Sequence, residues 1–262
     1  MAAAVARLAR GPVDLGRRSL AIFLSMDGLD RSMALAAQTF TALIPLLIVV
    51  AAVLESGDSH SLGDALVGRF GLSGASADSV RRALAAPSTV QDAVSAISVV
   101  IVVISALSFT RALQRLYERA WGLAARGLRD TAYGLAWLAG FAALVSAHVA
   151  LHGHVGGSGG LAASLAGSFA FWLLTPYVIV ARRLPMRTLV PQALITAVAL
   201  TIFRGASALY MPAALSSSAE QFGALGLCFA LISWLFGVAT TLAASAALGA
   251  AVSGRSAGAT GV

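Results

Sequence analysis

Arg204 is the one charged residue between Arg187 and Glu220. A guanidinium stays protonated and is a poor acid or base, but its five donors can hold an anion such as a phosphate. Gln192, Thr196 and Ser207 fall on or near the same helical face and extend it into a polar stripe. No carboxylate stands in the surrounding apolar runs. The partners expected for Arg204 are therefore carbonyls, water or an anionic ligand.

Other residues offer less specific chemistry. His148 and His152 are four apart, with His154 just beyond, a spacing that can place two imidazoles on one metal. No Glu, Asp or Cys accompanies them, so they read as interfacial histidines and no metal is expected. Gln38, Thr41 and Pro45 share one helical face and are expected to point into a helix bundle. Pro45 and Pro176 each lack an amide donor and crowd the carbonyl four residues back, which predicts kinks with freed acceptors at Thr41 and Trp172. Gly237, Thr241 and Ser245 recur every four residues, as in helices that pack closely. There is no phosphate-binding glycine loop, nucleophile elbow or carboxylate cluster. Neither enzymatic activity nor a cofactor is expected.

The elements that must position these residues are long uncharged runs. They extend over Ser32–Leu54, Ala93–Thr110, Thr131–Ala181, Thr188–Phe203 and Gln221–Gly254. About 20 apolar residues cross a hydrocarbon core of roughly 30 Å. The third run is broken by His152-Gly-His-Val-Gly-Gly-Ser-Gly-Gly160 and divides into two spans. The fourth continues through Arg204 to Tyr210. The prediction is an all-α integral membrane protein with six transmembrane helices, at about 33–54, 93–110, 131–151, 161–181, 189–210 and 223–251. Residues 1–31 form a cytoplasmic tail with an interfacial amphipathic helix, 32–252 the membrane domain, and 253–262 a cytoplasmic tail. In hydrocarbon a central arginine costs about 2.5–3.5 kcal/mol. Arg204 either meets an anion or snorkels roughly 8 Å to an outer interface near Tyr210.

A mean hydropathy of +0.85 with 11% charged residues excludes an ordinary soluble domain, whose charged share is about 25%. All eighteen basic residues are arginines, and the formal charge is +7. Because they border apolar runs, they read as a topology signal and as contact with anionic membrane lipids rather than with nucleic acid. Fourteen fall on one side of the six spans and three (Arg69, Arg81, Arg82) on the other, apart from Arg204 within a span. Both termini are therefore expected in the cytoplasm. Tyr117, Trp121, Tyr133 and Tyr177 fit as inner-interface anchors and Tyr210 as an outer one. The long external connection from Glu55 to Asp92 reads as two short helices on the outer surface. Arg17-Arg18 before an apolar stretch looks like an export signal, but Met26-Asp27-Gly28-Leu29-Asp30 follows where a small-residue cleavage site should stand, so no cleavage is expected.

In order and spacing, several segments resemble the YihY/BrkB family of bacterial inner-membrane proteins. They are Ala34–Val50 with Pro45-Leu46-Leu47, Ser108–Leu123 (SFTRALQRLYERAWGL), Leu189–Ala193 (LVPQA), Tyr210, Gln221–Gly226 and Trp234. The chain departs from the family at Gln192, at Phe222-Gly223 and at Ser245-Ala246-Ala247, where a glutamate-bearing triplet is usual. The resemblance implies six helices with cytoplasmic termini, a place in the inner membrane and a link to envelope lipid traffic. It also brings a ribonuclease label, disfavoured here for want of a catalytic cluster. The leading expectation is a transporter or translocation factor for an anionic lipid or amphiphile. Arg204, Gln192, Thr196, Ser207, Gln38 and Thr41 would contact it. The alternative is a non-catalytic envelope-assembly scaffold. Substrate, energy coupling and oligomeric state are not legible in the sequence.

Overall fold

The computed structural model describes residues 2–55, 67, 74, 77–78, 91–125, 132–140 and 158–254. Among these every regular element is a helix. They are α1 (Ala2–Ser25), α2 (Gly28–Glu55), α3 (Gln91–Ala120), α4 (seen over 132–140), α5 (Ser158–Ile179), α6 (Met186–Gly223) and α7 (Leu225–Val252). The chain forms two compact units. One comprises Met1–Ala34, Thr110–Thr201 and Ala239–Val262; the other comprises Leu35–Phe109 and Ile202–Val238.

Within the first unit, short turns fix where helices stop. α3 ends in a Schellman motif: Gly122, at φ 61°, donates to the Arg119 carbonyl, and the Leu123 amide donates to that of Glu118. α1 passes into α2 through Asp27 at φ 53°, a left-handed position that aspartate tolerates. The α5–α6 turn is tighter, with Ala181 and Arg182 both at positive φ, 54° and 58°. Two consecutive side-chain-bearing residues in that region store about 1–3 kcal/mol each. The core gathers Leu113, Leu116, Tyr117, Ile179, Leu184 and Leu189 with alanines of α7, among them Ala243 and Ala247. Those alanines let α7 approach closely: a Cβ on Gly249 would lie 2.4 Å from the Cβ of Gln192. The Ser253 hydroxyl then donates to the Thr188 carbonyl at 3.1 Å. The start of α6 thus lies against the end of α7.

In the second unit the later part of α6 packs on the early part of α7. The Trp234 indole donates to the Ser207 hydroxyl at 2.9 Å, and the rings of Phe203 and Trp234 are 6.2 Å apart. A Cβ on Gly237 would press on Phe203 at 2.8 Å. The reversal between the helices turns on Gly223, at φ 58° and ψ −135°, a combination open to glycine.

α6 and α7 are each long and apolar enough to cross a membrane. Only 22% of the apolar window in each is buried, which is not how the core helix of a soluble domain sits. On α6, Val190, Leu194, Val198 and Ile202 are exposed at every fourth position, while Leu189, Gln192, Ala193, Thr196, Ala197 and Leu200 are buried. Apolar side chains lie on both faces, and the polar Gln192 and Thr196 are on the packed one.

Element ends differ from the sequence reading where packing extends a helix. α6 does not stop at Tyr210 but runs 38 residues to Gly223, about 57 Å at 1.5 Å per residue. Met211 and Leu215 are buried and continue its packed stripe past Pro212. α3 runs ten residues beyond Thr110 because Ala112, Leu113, Leu116 and Tyr117 are buried. α2 continues through Pro45 without a break in its helical assignment. Pro176 lies inside α5, three residues before its end. The two short helices expected between Glu55 and Asp92, and His148, His152 and His154, lie outside the described residues apart from isolated helical positions at 67, 74, 77 and 78.

Candidate functional site

The densest polar constellation is in the first unit, built from the end of α3, the α5–α6 turn and the first turns of α6. The Schellman turn at Gly122 orients the last turns of α3 so that Gln114, Tyr117, Glu118 and Trp121 are buried. Glu118 forms an ion pair with Arg183; their side chains are 3% and 13% exposed. The Gln114 amide donates to the same Glu118 carboxylate at 3.1 Å. Arg183 also donates to the carbonyls of Ala124 (2.7 Å) and Val180 (3.0 Å). One guanidinium therefore ties the strained Ala181-Arg182 turn to the end of α3. Arg182 itself lies over the Tyr177 ring, 5.8 Å from its centre.

Gln192 occupies the neighbouring position. Its Oε1 accepts from the Trp121 indole at 3.0 Å, and its side chain faces the Tyr117 hydroxyl. Neither the Tyr117 hydroxyl nor Gln192 Nε2 has a partner of good hydrogen-bond geometry among the described residues. Burial drives the Tyr117 pKa well above the ordinary phenol value, only partly offset by the Gln192 contact. Tyr117 is thus held neutral. Thr196 returns its hydroxyl to the Gln192 carbonyl at 2.8 Å. In the same unit the Trp137 indole donates to Thr175 at 3.1 Å. The segments 108–123 and 189–193, singled out separately in the sequence, converge here.

Gln192 and Thr196 belong to the first unit; Gln38, Thr41, Arg204 and Ser207 belong to the second. Gln192, Thr196 and Ser207 are buried and held by hydrogen bonds. Gln38 is half-buried, with its Oε1 unpartnered among the described residues. Thr41 is exposed and donates to its own helix at Ala37, 2.9 Å away, so it does not point into the interior as expected. Arg204 is exposed, although it lies four residues after buried Leu200 and three before buried Ser207.

Tyr117 and Trp121 are not the inner-interface anchors expected of them. Both are fully packed inside protein and cannot anchor at headgroups, whereas Tyr133 is exposed and Tyr177 half-buried. Reading the sequence missed the Glu118–Arg183 pair. Its signal was present: Glu118 is the only carboxylate between Asp92 and Asp130, among five arginines. Comparison of the chain with protein-family models, curated proteins and solved structures finds no match.

Proposed function

We propose that the chain is a multi-pass protein of the bacterial inner membrane, with six spans and cytoplasmic termini, that acts as a transporter or translocation factor for an anionic lipid or amphiphile. The outward-facing apolar residues of α6 and α7 and the clustering of arginines between apolar runs support the membrane part. The observation that carries the substrate class is Arg204. It sits eighteen residues from the start of α6 and nineteen from its end, exposed, with no hydrogen-bond or ion-pair partner among the described residues. A cation so placed is costly in hydrocarbon unless an anionic group or water meets it.

In proteoliposomes, Arg204→Leu is expected to lower transport or binding of an anionic lipid at least tenfold, one charged contact being worth about 1.5–3 kcal/mol. Folding should be unimpaired because the side chain is exposed. Wild-type behaviour in a folded Arg204→Leu protein would reject the assignment. The second reading, a non-transporting scaffold, is favoured by the close α6–α7 contacts at Gly237 and Gly249.

A further inference from the structure

One side of α1 is packed. Ile22 and Met26 are 5% and 1% exposed, and Leu15, Ser19 and Phe23 are half-buried on the same side. The elbow into α2 fixes this arrangement. Asp27 turns the chain at φ 53°, and the Arg31 side chain donates to the Met26 carbonyl at 2.5 Å. A Cβ on Gly28 would lie 2.5 Å from the Phe23 ring. Ile22, Phe23 and Met26, which an isolated amphipathic helix would lay in lipid, are thus committed to protein.

The rest of the helix surface divides into two sectors. Val13, Leu20 and Leu24, 56%, 57% and 62% exposed, fall within about 40° of one another at 3.6 residues per turn, on the far side from Ile22. Beside them, over about 100° of arc, stand Arg17, Asp14, Ser25 and Arg18, all exposed. Sequence register adds Arg7 and Arg10 to this second sector. Asp14 is the only carboxylate of α1 against those four arginines. Asp27 and Asp30 lie past its end, in the elbow and the first turn of α2, with Asp27 3.9 Å from Arg31.

A bare aliphatic edge flanked along its length by arginines matches a bilayer surface, where apolar side chains sink about 5–10 Å and guanidiniums meet phosphates. A nucleic acid would take the charges and leave the aliphatic edge wet. Three aliphatic side chains also fall far short of the roughly 800 Å² per partner that a specific protein interface buries. We infer that α1 lies along the inner leaflet through this second edge. Val13, Leu20 and Leu24 seat at the acyl boundary, and Arg17 and Arg18 stand among the phosphates. The inference rests on the membrane reading of the chain and adds a surface contact separate from Arg204.

The test is spin-label depth in the full chain, reconstituted into equimolar phosphatidylglycerol and phosphatidylethanolamine. In a Cys228→Ala background, nitroxides are placed singly by Leu20→Cys, Leu24→Cys, Arg18→Cys, Ser25→Cys and Ile22→Cys. Collision with oxygen, which concentrates in hydrocarbon, is compared with collision with a nickel chelate, which stays in water. The oxygen-to-chelate ratio should be several-fold higher at 20 and 24 than at 18 and 25. The label at 22 should collide weakly with both. Water-like ratios at 20 and 24 overturn the inference. So do weak collisions with both probes at those two positions, which would mean that a second copy or another protein covers the edge. An oxygen maximum at 22 overturns it as well, since the packed face would then be the lipid face. Val198→Cys, on the exposed side of α6, reports on the membrane reading separately. Hydrocarbon at 198 with water at 20 and 24 would sink the α1 contact alone. Water at 198 with lipid at 20 and 24 would sink the six-span reading and leave the α1 contact standing.

Discussion

Glu118→Ala is expected to destabilise the protein by about 3–5 kcal/mol, the cost of stranding a buried charge. Its carboxylate is the acceptor for both Arg183 and Gln114 in a nearly dry site. Without it, the Arg183 guanidinium keeps carbonyl partners but no counter-charge. The α5–α6 turn, with Ala181 and Arg182 at positive φ, loses the tie that holds its strain. Denaturant unfolding in micelles, followed by tryptophan emission, reads the effect because Trp121 lies three residues away. The double variant Glu118→Leu/Arg183→Met should recover much of the loss, since an apolar replacement strands no charge. A loss below about 1 kcal/mol for Glu118→Ala would mean that the pair behaves as an exposed one.

Gly249→Val is the second large effect. The first added carbon would already lie 2.4 Å from Gln192 Cβ and 2.9 Å from its Cα, and the Cα is backbone that no rotamer can move away. Overpacking of this kind costs about 1–3 kcal/mol and sometimes more. Because α6 must shift to admit it, the Trp121–Gln192 hydrogen bond is also expected to lengthen, with a change in Trp121 emission. Gly205→Ala is the control. A Cβ there meets nothing within 4 Å, and the helix gains about 0.5–1 kcal/mol from losing a flexible residue. Equal stability of the two variants would refute the close α6–α7 contact at Gln192.

What could be read in advance follows from which forces are local. The helices of Gly28–Glu55, Ser158–Ile179 and Leu225–Val252 were legible to within a few residues because apolar run length and charge placement are properties of adjacent residues. The far end of α6 was not. Pro212 and Ser216-Ser217-Ser218 look like a connection, and only the burial of Met211 and Leu215 shows why the helix persists. Tyr117 and Trp121 misled for a related reason. An aromatic residue just past an apolar run has the same sequence signature whether it faces headgroups or another helix. The Glu118–Arg183 pair joins residues 65 apart, so arginine counting registered Arg183 only as a topology mark. Gln192 was singled out for a contact with substrate, yet its Oε1 is occupied by Trp121.

The central claim is that hydrocarbon surrounds these helices, with the turn after α3 and the α6–α7 reversal on opposite faces. Thiol labelling of intact cells tests it most directly. Cys228 is the only native cysteine, so Cys228→Ala clears the background, and Ala125→Cys or Ser217→Cys then places one exposed thiol near either end. A membrane-impermeant maleimide should modify Ser217→Cys from outside the inner membrane and reach Ala125→Cys only after permeabilisation. Labelling of both from the same side, or release of the chain into the soluble fraction, would contradict the account.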